Sequence, residues 1–440
     1  PLIIGSGRID TRQEIGSVNP SRHEQVVGYV AQAERAEADS AMDAAWNSFG
    51  MWSRVPAEAR ALSVMKLAAV MRRRRLELVA WLVLEVSKNW READADVAEA
   101  IDFCEFYARE AIRYSQMNAV HPHPSEINVQ LDIPLGVGVI ISPWNFPLAI
   151  LTGMTMAAVV TGNTVIIKPA NTAGVIAAKF MEMVEEAGIP DGVVNYLPGS
   201  GASIGDYLVQ NPRTRFINFT GSRDVGLHIN QAAAVAQPGQ IWIKRVVAEM
   251  GGKNCIVVDD DADLESAATG IVASAYGFQG QKCSACSRTY IPRSLWPRVK
   301  QRMQEEIANL KVGDPADFSV FVGAVIDEKA FRKHEALLKA VQRALVSLPP
   351  TQPAGTIVTP LLFTVHDKIA LILARLDALT PASHGITFGE LLETANSAVE
   401  IVITLLAVLE LMKRRQARVE QESLFGQITI RFATDPLPAL

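Results

Sequence analysis

Between Asp132 and Lys168 the chain carries no charged side chain, and from Gly136 onward short apolar runs alternate with longer stretches of helical periodicity. The runs 138–142, 164–168, 193–197, 215–219 and 254–258 predict strands, each bounded by turn-forming or polar residues. The clearest helix between them, 173–187, stops at Gly188-Ile189-Pro190-Asp191-Gly192, where a helix-ending glycine is followed by a proline that forbids continuation. Strands that alternate with helices pair in parallel through crossovers, so the pattern predicts a doubly wound α/β sheet. The uncharged stretch has the length of a membrane span, but Pro143, Asn145, Pro147, Gly153 and Gly162 interrupt it, and buried strands and turns are the expectation.

After about His334 no further strand–helix repeat is legible. Pro349, Pro350, Pro353 and Pro360 mark a linker, followed by predicted helices 367–379, 387–395 and 398–412 and predicted strands 417–421 and 427–432. Three helices and a β-hairpin make a small winged-helix pattern. The expected organisation is a Rossmann-like dinucleotide-binding part with N-terminal helices (1–250), a partial, truncated catalytic part (251–334), a linker (335–365) and a C-terminal winged-helix domain (366–440).

A chain of 440 residues with 49% apolar side chains can bury the cores of two or three domains. The formal charge of −5, with mixed signs throughout, gives no argument for nucleic acid. The dense basic run Arg72 to Arg75 falls among Leu62, Met65, Ala69, Leu76, Val79 and Val83 at helical spacing and predicts a solvated helix turn. Four scattered cysteines do not read as a disulfide framework and no secretory signal is legible, so a reducing cytoplasm without membrane attachment is expected.

Three residues suggest covalent chemistry on a carbonyl. Cys283, in Gly280-Gln281-Lys282-Cys283-Ser284, has a neighbouring cation that could favour its thiolate; a buried filler is the alternative. Its spacing to Cys286 also fits a redox or metal half-site, but no second cysteine pair or nearby histidine completes a zinc set. Glu249 precedes Gly251-Gly252 at the end of an apolar strand, where it could activate water or simply face solvent before a turn. Asn145, in Ser142-Pro143-Trp144-Asn145-Phe146-Pro147, is an amide fixed between prolines that could donate to an oxyanion or serve the turn. Two loops that follow strands and open helices could approach phosphates: the one holding Gly201 and Gly205, and Thr220-Gly221-Ser222-Arg223-Asp224-Val225-Gly226. Lys168, ahead of Pro169-Ala170, could reach a ribose or end a strand in solvent.

In this order these residues resemble the aldehyde dehydrogenase superfamily, and most closely its 1-pyrroline-5-carboxylate dehydrogenase branch. The likeness rests on Ser142-Pro143-Trp144-Asn145-Phe146-Pro147, Phe216-Ile217-Asn218-Phe219-Thr220-Gly221-Ser222 and the run from Tyr276 to Arg288, and extends from the first residues to about Phe331. It implies NAD-dependent oxidation of glutamate 5-semialdehyde to glutamate, with Cys283 as nucleophile, Asn145 and the Cys283 amide as oxyanion donors and Glu249 as the base that activates water. It implies that Lys168 meets the adenosine ribose, that Ser222 and neighbouring amides meet the pyrophosphate, and that Ser142, Pro143, Trp144, Ala170, Gly201, Gly205, Thr220, Gly221, Val225 and Gly251 complete the cofactor site. Asn171 stands where the family often carries a glutamate that disfavours a 2′-phosphate, so the resemblance implies NAD and leaves NADP open.

After Gly323-Ala324-Val325-Ile326-Asp327-Glu328 the family's nicotinamide-ribose glutamate, its substrate-anchoring loop and its oligomerisation strand are not legible, which implies impaired turnover and leaves the oligomeric state unread. From roughly Glu335 the chain resembles the C-terminal part of segregation and condensation protein A, a kleisin, through the run from Glu400 to Met412, Val419-Glu420-Gln421-Glu422 and Phe425-Gly426-Gln427-Ile428. That resemblance implies a winged helix that binds the ATPase head of an SMC protein. The alternative reading is therefore an SMC-binding module joined to an inactive dehydrogenase segment.

Overall fold

In the computed structural model of the chain, the described residues are 1–120, 123–347, 364–379, 385–393, 395, 398–423 and 426–433. The chain divides into two compact units, Pro1–Leu338 and Lys339–Leu440.

The first unit is organised by strands buried on both faces. Val137, Val139, Ile140, Val165, Ile166 and Ile167 are all completely buried, as expected of parallel strands covered by helices on either side. They belong to a seven-stranded sheet in the order Arg245–Glu249, Phe216–Thr220, Val137–Ile141, Thr164–Lys168, Val194–Tyr196, Leu2–Ile4, Gly7–Ile9. The first five run parallel, and the last two form an antiparallel hairpin on the far edge. The predicted helix is observed as Gly174–Glu186 and ends as its sequence dictates: Gly188 takes a φ of +77°, its N–H donates to Glu185, and the Ile189 N–H donates to Val184.

Two expectations need correction. The predicted strand near 254–258 is formed as Asn254–Val257, but outside the main sheet; it pairs in parallel with Cys286–Tyr290, a polar and mostly exposed strand that apolar patterning does not reveal. The Arg72 to Arg75 run is solvated as expected at Arg72, Arg73 and Arg75, but it is not a turn within one helix. The helix breaks at Arg74 into Ala57–Arg73 and Arg75–Val86, and Leu62, Ala69 and Leu76 face outward while Ala61, Val64, Leu67, Ala68 and Met71 are buried. Each arginine reaches an acid on another helix: Arg72 to Glu105 at 2.8 Å, Arg73 to Glu186, Arg75 to Asp94 at 2.6 Å, and Arg74 to Glu182 at 2.7 Å as well as to Glu77 at 2.8 Å. The run is a helix junction. The uncharged stretch folds as strand, helix Ala149–Val160 and strand, and no helix among the described residues is long and apolar enough to cross a membrane.

The second unit holds helices Val365–Asp377, Phe388–Leu392 and Ala398–Lys413 and a three-stranded antiparallel sheet in the order Ile386–Thr387, Ile428–Phe432, Ala417–Gln421. Ile372, Leu376, Leu391, Ala407, Val408, Leu411 and Ile430 form its core. Helix Glu328–Ser347 extends into the stretch expected as linker, whose Pro349, Pro350, Pro353 and Pro360 lie outside the described residues, as does Phe425.

Helix Gly174–Glu186 is also anchored at its start. The buried Glu85 carboxylate accepts from Val175 N at 2.8 Å, Ile176 N at 2.7 Å and Ser17 Oγ at 2.8 Å, satisfying amides that a helix leaves unpaired. Burial nevertheless outweighs these donors and pushes its carboxyl up to about 7. A raised folded pKa favours the protonated form in the fold, so this contribution is full below the ordinary value of 4.5 and is lost as pH rises through about 7. Urea unfolding should therefore show a decline of about 3 kcal/mol from this group across that window, and Glu85→Gln should remove that slope. A variant whose slope matches the parent's would contradict this.

Candidate active site

The strand order reverses between Val137–Ile141 and Phe216–Thr220: the chain builds outward through Thr164–Lys168 and Val194–Tyr196, then returns to the other side for Phe216–Thr220 and Arg245–Glu249. In sheets of this kind the crevice beyond the carboxyl ends at such a reversal is where ligands bind. The register puts the candidate residues there. Ile141 is aligned with Lys168 and with Phe219, and Thr220 with Glu249, so Ser142, Lys168, Thr220 and Glu249 all end adjacent strands on one edge.

Along that edge several polar groups lack protein partners. Among the described residues the Ser142 hydroxyl is buried with none, as is the Asn171 side-chain oxygen. Lys168, 6% exposed, donates only to the Pro169 carbonyl at 3.3 Å, and desolvation lowers its pKa to about 8. A Cβ on Gly205 would stand 3.6 Å from its Cε. Ala170 precedes the short turn Asn171–Ala173 and accepts from Ala173 N. Ser200 caps the turn Gly201–Gly205, while among the described residues, chain neighbours aside, nothing lies within 4 Å of where a Gly201 Cβ would be. Ser222 caps helix Arg223–Ala234 by accepting from Val225 N at 3.4 Å, and Val225 faces solvent. Gly221 and Gly226 are demanded by packing, since a Cβ there would come within 2.6 Å of the Phe219 ring and 2.8 Å of Met250 Sδ. The Thr220 hydroxyl donates to Met154 Sδ at 3.4 Å.

Cys283 reaches this edge from outside the sheet. Its approach runs through Gly277–Gly280, where Phe278, Gln279 and Gly280 have φ of +50°, +56° and +68°, a strained run that surrounding contacts must impose. Those contacts come from four segments. Asn145 Nδ2 donates to the Gln281 carbonyl at 3.0 Å, and Trp144 packs edge-on against Phe278. Gln279 Nε2 donates to Ala324 O at 2.7 Å, and Ile326 N donates to Gln281 Oε1 at 3.1 Å. Lys282 Nζ lies 2.7 Å from Glu92 Oε1. The cation next to Cys283 in sequence is thus paired with Glu92. On the fourth side, a Cβ on Gly252 would lie 2.7 Å from the Cys283 carbonyl oxygen, so the Glu249-Met250-Gly251-Gly252 segment presses its backbone against the cysteine. Gly251 has nothing within 4 Å, so of the two glycines only Gly252 provides the close approach. The structure therefore brings the segments of Asn145, Glu249 and Cys283 together, with half-buried Cys283 between two of them and the Glu249 side chain exposed.

Sequence reading missed the residues beneath this junction. Lys88 and Asp96 are completely buried, with Nζ 2.8 Å from Oδ2. Asp96 Oδ1 also accepts from Ala149 N at 2.7 Å, at the start of the helix that follows the Asn145 segment. The one available signal was an acid at position 96 on the same helical face as Ala93, Val97 and Ala100.

The aldehyde dehydrogenase family profile matches residues 8–375. The 1-pyrroline-5-carboxylate dehydrogenase of Geobacillus thermodenitrificans is 57% identical over 333 residues, covering 76% of this chain and 65% of that protein. The chain thus spans somewhat less than two thirds of that relative's length. Among solved structures, a Thermus 1-pyrroline-5-carboxylate dehydrogenase with bound NAD superposes with a TM-score of 0.76 at 50% identity, covering 78% of this chain and 66% of that one. Proline utilization A from Bdellovibrio bacteriovorus, inactivated by N-propargylglycine, gives 0.76 at 42% identity over 79% of this chain and 36% of that one.

The asymmetry between the two glycines is testable. Gly252→Ala forces a methyl group onto backbone that cannot swing away and should cost about 1–3 kcal/mol in urea unfolding, with slowed alkylation of Cys283. Gly251→Ala should leave both within error of the parent; equal effects at the two positions would contradict the packing described.

Proposed function

This chain belongs to the aldehyde dehydrogenase family, and from that premise we propose that it oxidises L-glutamate 5-semialdehyde, formed from 1-pyrroline-5-carboxylate, to L-glutamate with NAD as hydride acceptor. The observation that carries the proposal is the convergence of Asn145, Cys283 and the Glu249–Gly252 segment at the carboxyl edge of the sheet. The edge also suits a dinucleotide: the partnerless Ser142 hydroxyl, the under-bonded Lys168 ammonium and the packed glycines Gly221 and Gly226 offer polar groups and close backbone. Lys168 and Ala170 would hold the adenosine end, Gly201, Gly205, Gly221, Ser222 and Val225 the diphosphate, and Ser142, Pro143, Trp144, Thr220 and Gly251 the remainder. Asn171, with its partnerless oxygen, leaves room for NADP as well. When bound, the dinucleotide accepts the hydride lost by the aldehyde carbon.

The protein's own residues do the rest. The Cys283 thiolate adds to the aldehyde carbon, forming a C–S bond and an oxyanion that the Asn145 amide and the Cys283 N–H hold. One of the two Asn145 Nδ2 hydrogens is held by the Gln281 carbonyl, which leaves the other for the oxyanion, so the donor is poised beside the cysteine before substrate arrives. Loss of hydride leaves a thioester on Cys283. Glu249 then takes a proton from water, the resulting hydroxide attacks the thioester carbon, and the thiolate leaves with the acid formed. All four cysteines are free, as a thiolate nucleophile requires, and a reducing cytoplasm is the compartment that keeps them so.

With pyrroline-5-carboxylate supplied, the chain should reduce NAD. Cys283→Ser should abolish the signal, and Asn145→Ala should lower kcat by about 10²–10³-fold. Glu249→Gln should retain a first burst of reduced cofactor while steady turnover falls by about 10²–10⁴-fold. Undiminished turnover in Cys283→Ser would remove the mechanism.

For the second unit we propose a winged helix of the kleisin type that engages an SMC ATPase head. Its support is the sequence of three helices and a closing hairpin, together with Ile401, Val402, Leu405, Leu406 and Leu409, which leave an apolar stripe exposed on helix Ala398–Lys413. The full chain should retain a purified SMC head domain in a pull-down, and Leu405→Glu with Leu409→Glu should release it; no retention by the parent chain would end this reading.

A further inference from the structure

The Lys88–Asp96 pair lies where the two halves of the candidate site meet. Lys88 immediately precedes Asn89, the N-cap of helix Trp90–Tyr114, whose side chain accepts from Glu92 N at 2.9 Å and donates to Phe321 O at 2.8 Å. The Lys88 ammonium lies 3.9 Å from the centre of the Phe146 ring and 4.9 Å from that of Phe278. Phe146 directly follows Asn145, and Phe278 opens the left-handed run that leads to Cys283. Asp96 grips the other face of the same junction through Ala149 N, and one turn earlier Glu92 holds Lys282 beside Cys283. One buried cation thus touches both segments, and the first two turns of one helix tie down each of them.

This pair is an unfavourable way to achieve stability alone. Removing two charges from water costs several kcal/mol per ion, and burial pushes the Lys88 pKa down and the Asp96 pKa up, against their mutual attraction. Apolar side chains of similar size would fill the space without that cost. They would lack the directional constraint of an ammonium fixed by a carboxylate and attracted to two ring faces at once.

We propose that Lys88 is a positioning residue: its ammonium, fixed by Asp96 and clasped between Phe146 and Phe278, sets the placement of the Asn145 amide relative to Cys283. What the site does with that placement rests on the proposed dehydrogenase function; the placement itself does not.

The test separates positioning from stability and uses the full chain. Lys88→Met keeps the aliphatic stem but leaves Asp96 charged and alone, so it should unfold more easily. Lys88→Met combined with Asp96→Asn removes both charges while keeping an acceptor for Ala149 N, and its thermal midpoint should return to near the parent's. In that double variant, alkylation of Cys283 by iodoacetamide should still be at least about five-fold slower than in the parent, with exposed Cys255 as an unchanged internal reference. Where the parent turns over, kcat should fall by about ten-fold or more with little change in KM, as misplacement of reacting groups predicts. If the double variant does not fold, Phe146→Leu, which removes one ring without stranding a charge, should give the same slowing. Parent-like or faster Cys283 alkylation in a variant of restored stability would overturn the proposal. Because alkylation needs neither substrate nor dinucleotide, an inactive parent chain would count against the proposed function and leave this result decisive by itself.

Discussion

Two charges taken out of water have to stay together, and the arrangement around Cys283 follows from where Lys88 and Asp96 are obliged to meet. Separating them would leave an unpaired charge in a dry interior, so the helix that carries Asp96 and the turn that carries Lys88 cannot drift apart. Through Ala149 N the aspartate fixes the start of the helix after Asn145, and through Phe146 and Phe278 the lysine fixes the rings that flank the amide and the cysteine loop. The strained backbone at Phe278 and Gln279 is sustained by this surrounding packing, since neither residue is a glycine that would adopt positive φ readily.

The sheet contributes a different kind of constraint. Register decides which residues end together, and a shift of one position would turn Lys168 and Glu249 to the opposite face. Strands covered on both faces resist such slippage because it would force Val139, Ile166 and Ile217 out of the packing they fill and into the opposite layer. Cys283 belongs to no strand of this sheet, so it depends on the Asn145 amide, on Gly252 and on the 324–326 segment for its place. The proposed nucleotide edge is thus fixed by the main ladder, and the proposed nucleophile by side-chain and loop contacts laid across it.

This division explains what could be read from the sequence. Thr164–Lys168 was legible to the residue because a strand covered on both faces is a bare apolar run bounded by turns. Cys286–Tyr290 was not, because a strand of Cys, Ser, Arg, Thr and Tyr with four exposed positions shows no contrast between faces. The candidate side chains Cys283, Glu249 and Asn145 were legible as types, and the fold accounts for the meeting of their segments. Lys88 and Asp96 were not, since a lysine before a helix cap and an aspartate within an alanine-rich helix look solvated until the packing partners are known. The functional difference between Gly251 and Gly252 was equally hidden, for it depends on a carbonyl some thirty residues away in the chain.

The constraints are unequal on the two sides of the site. The cysteine loop is held by bonds from several segments, and the residues from Gly277 to Lys282 that lead to it are buried or half-buried. Glu249 ends an edge strand that is hydrogen-bonded on one side only, with Arg245, Val247 and Glu249 itself exposed. Its backbone is tied by the ladder to Phe216–Thr220 and by Gly221 N, which donates to its carbonyl at 3.1 Å, while no corresponding contact orients its carboxylate among the described residues. A general base works only when its oxygen is held within reach of the water it activates. The attack on the aldehyde is therefore the better-organised half of the proposed reaction. Release of the acid from Cys283 is the half that depends on a side chain the sheet leaves loosely directed.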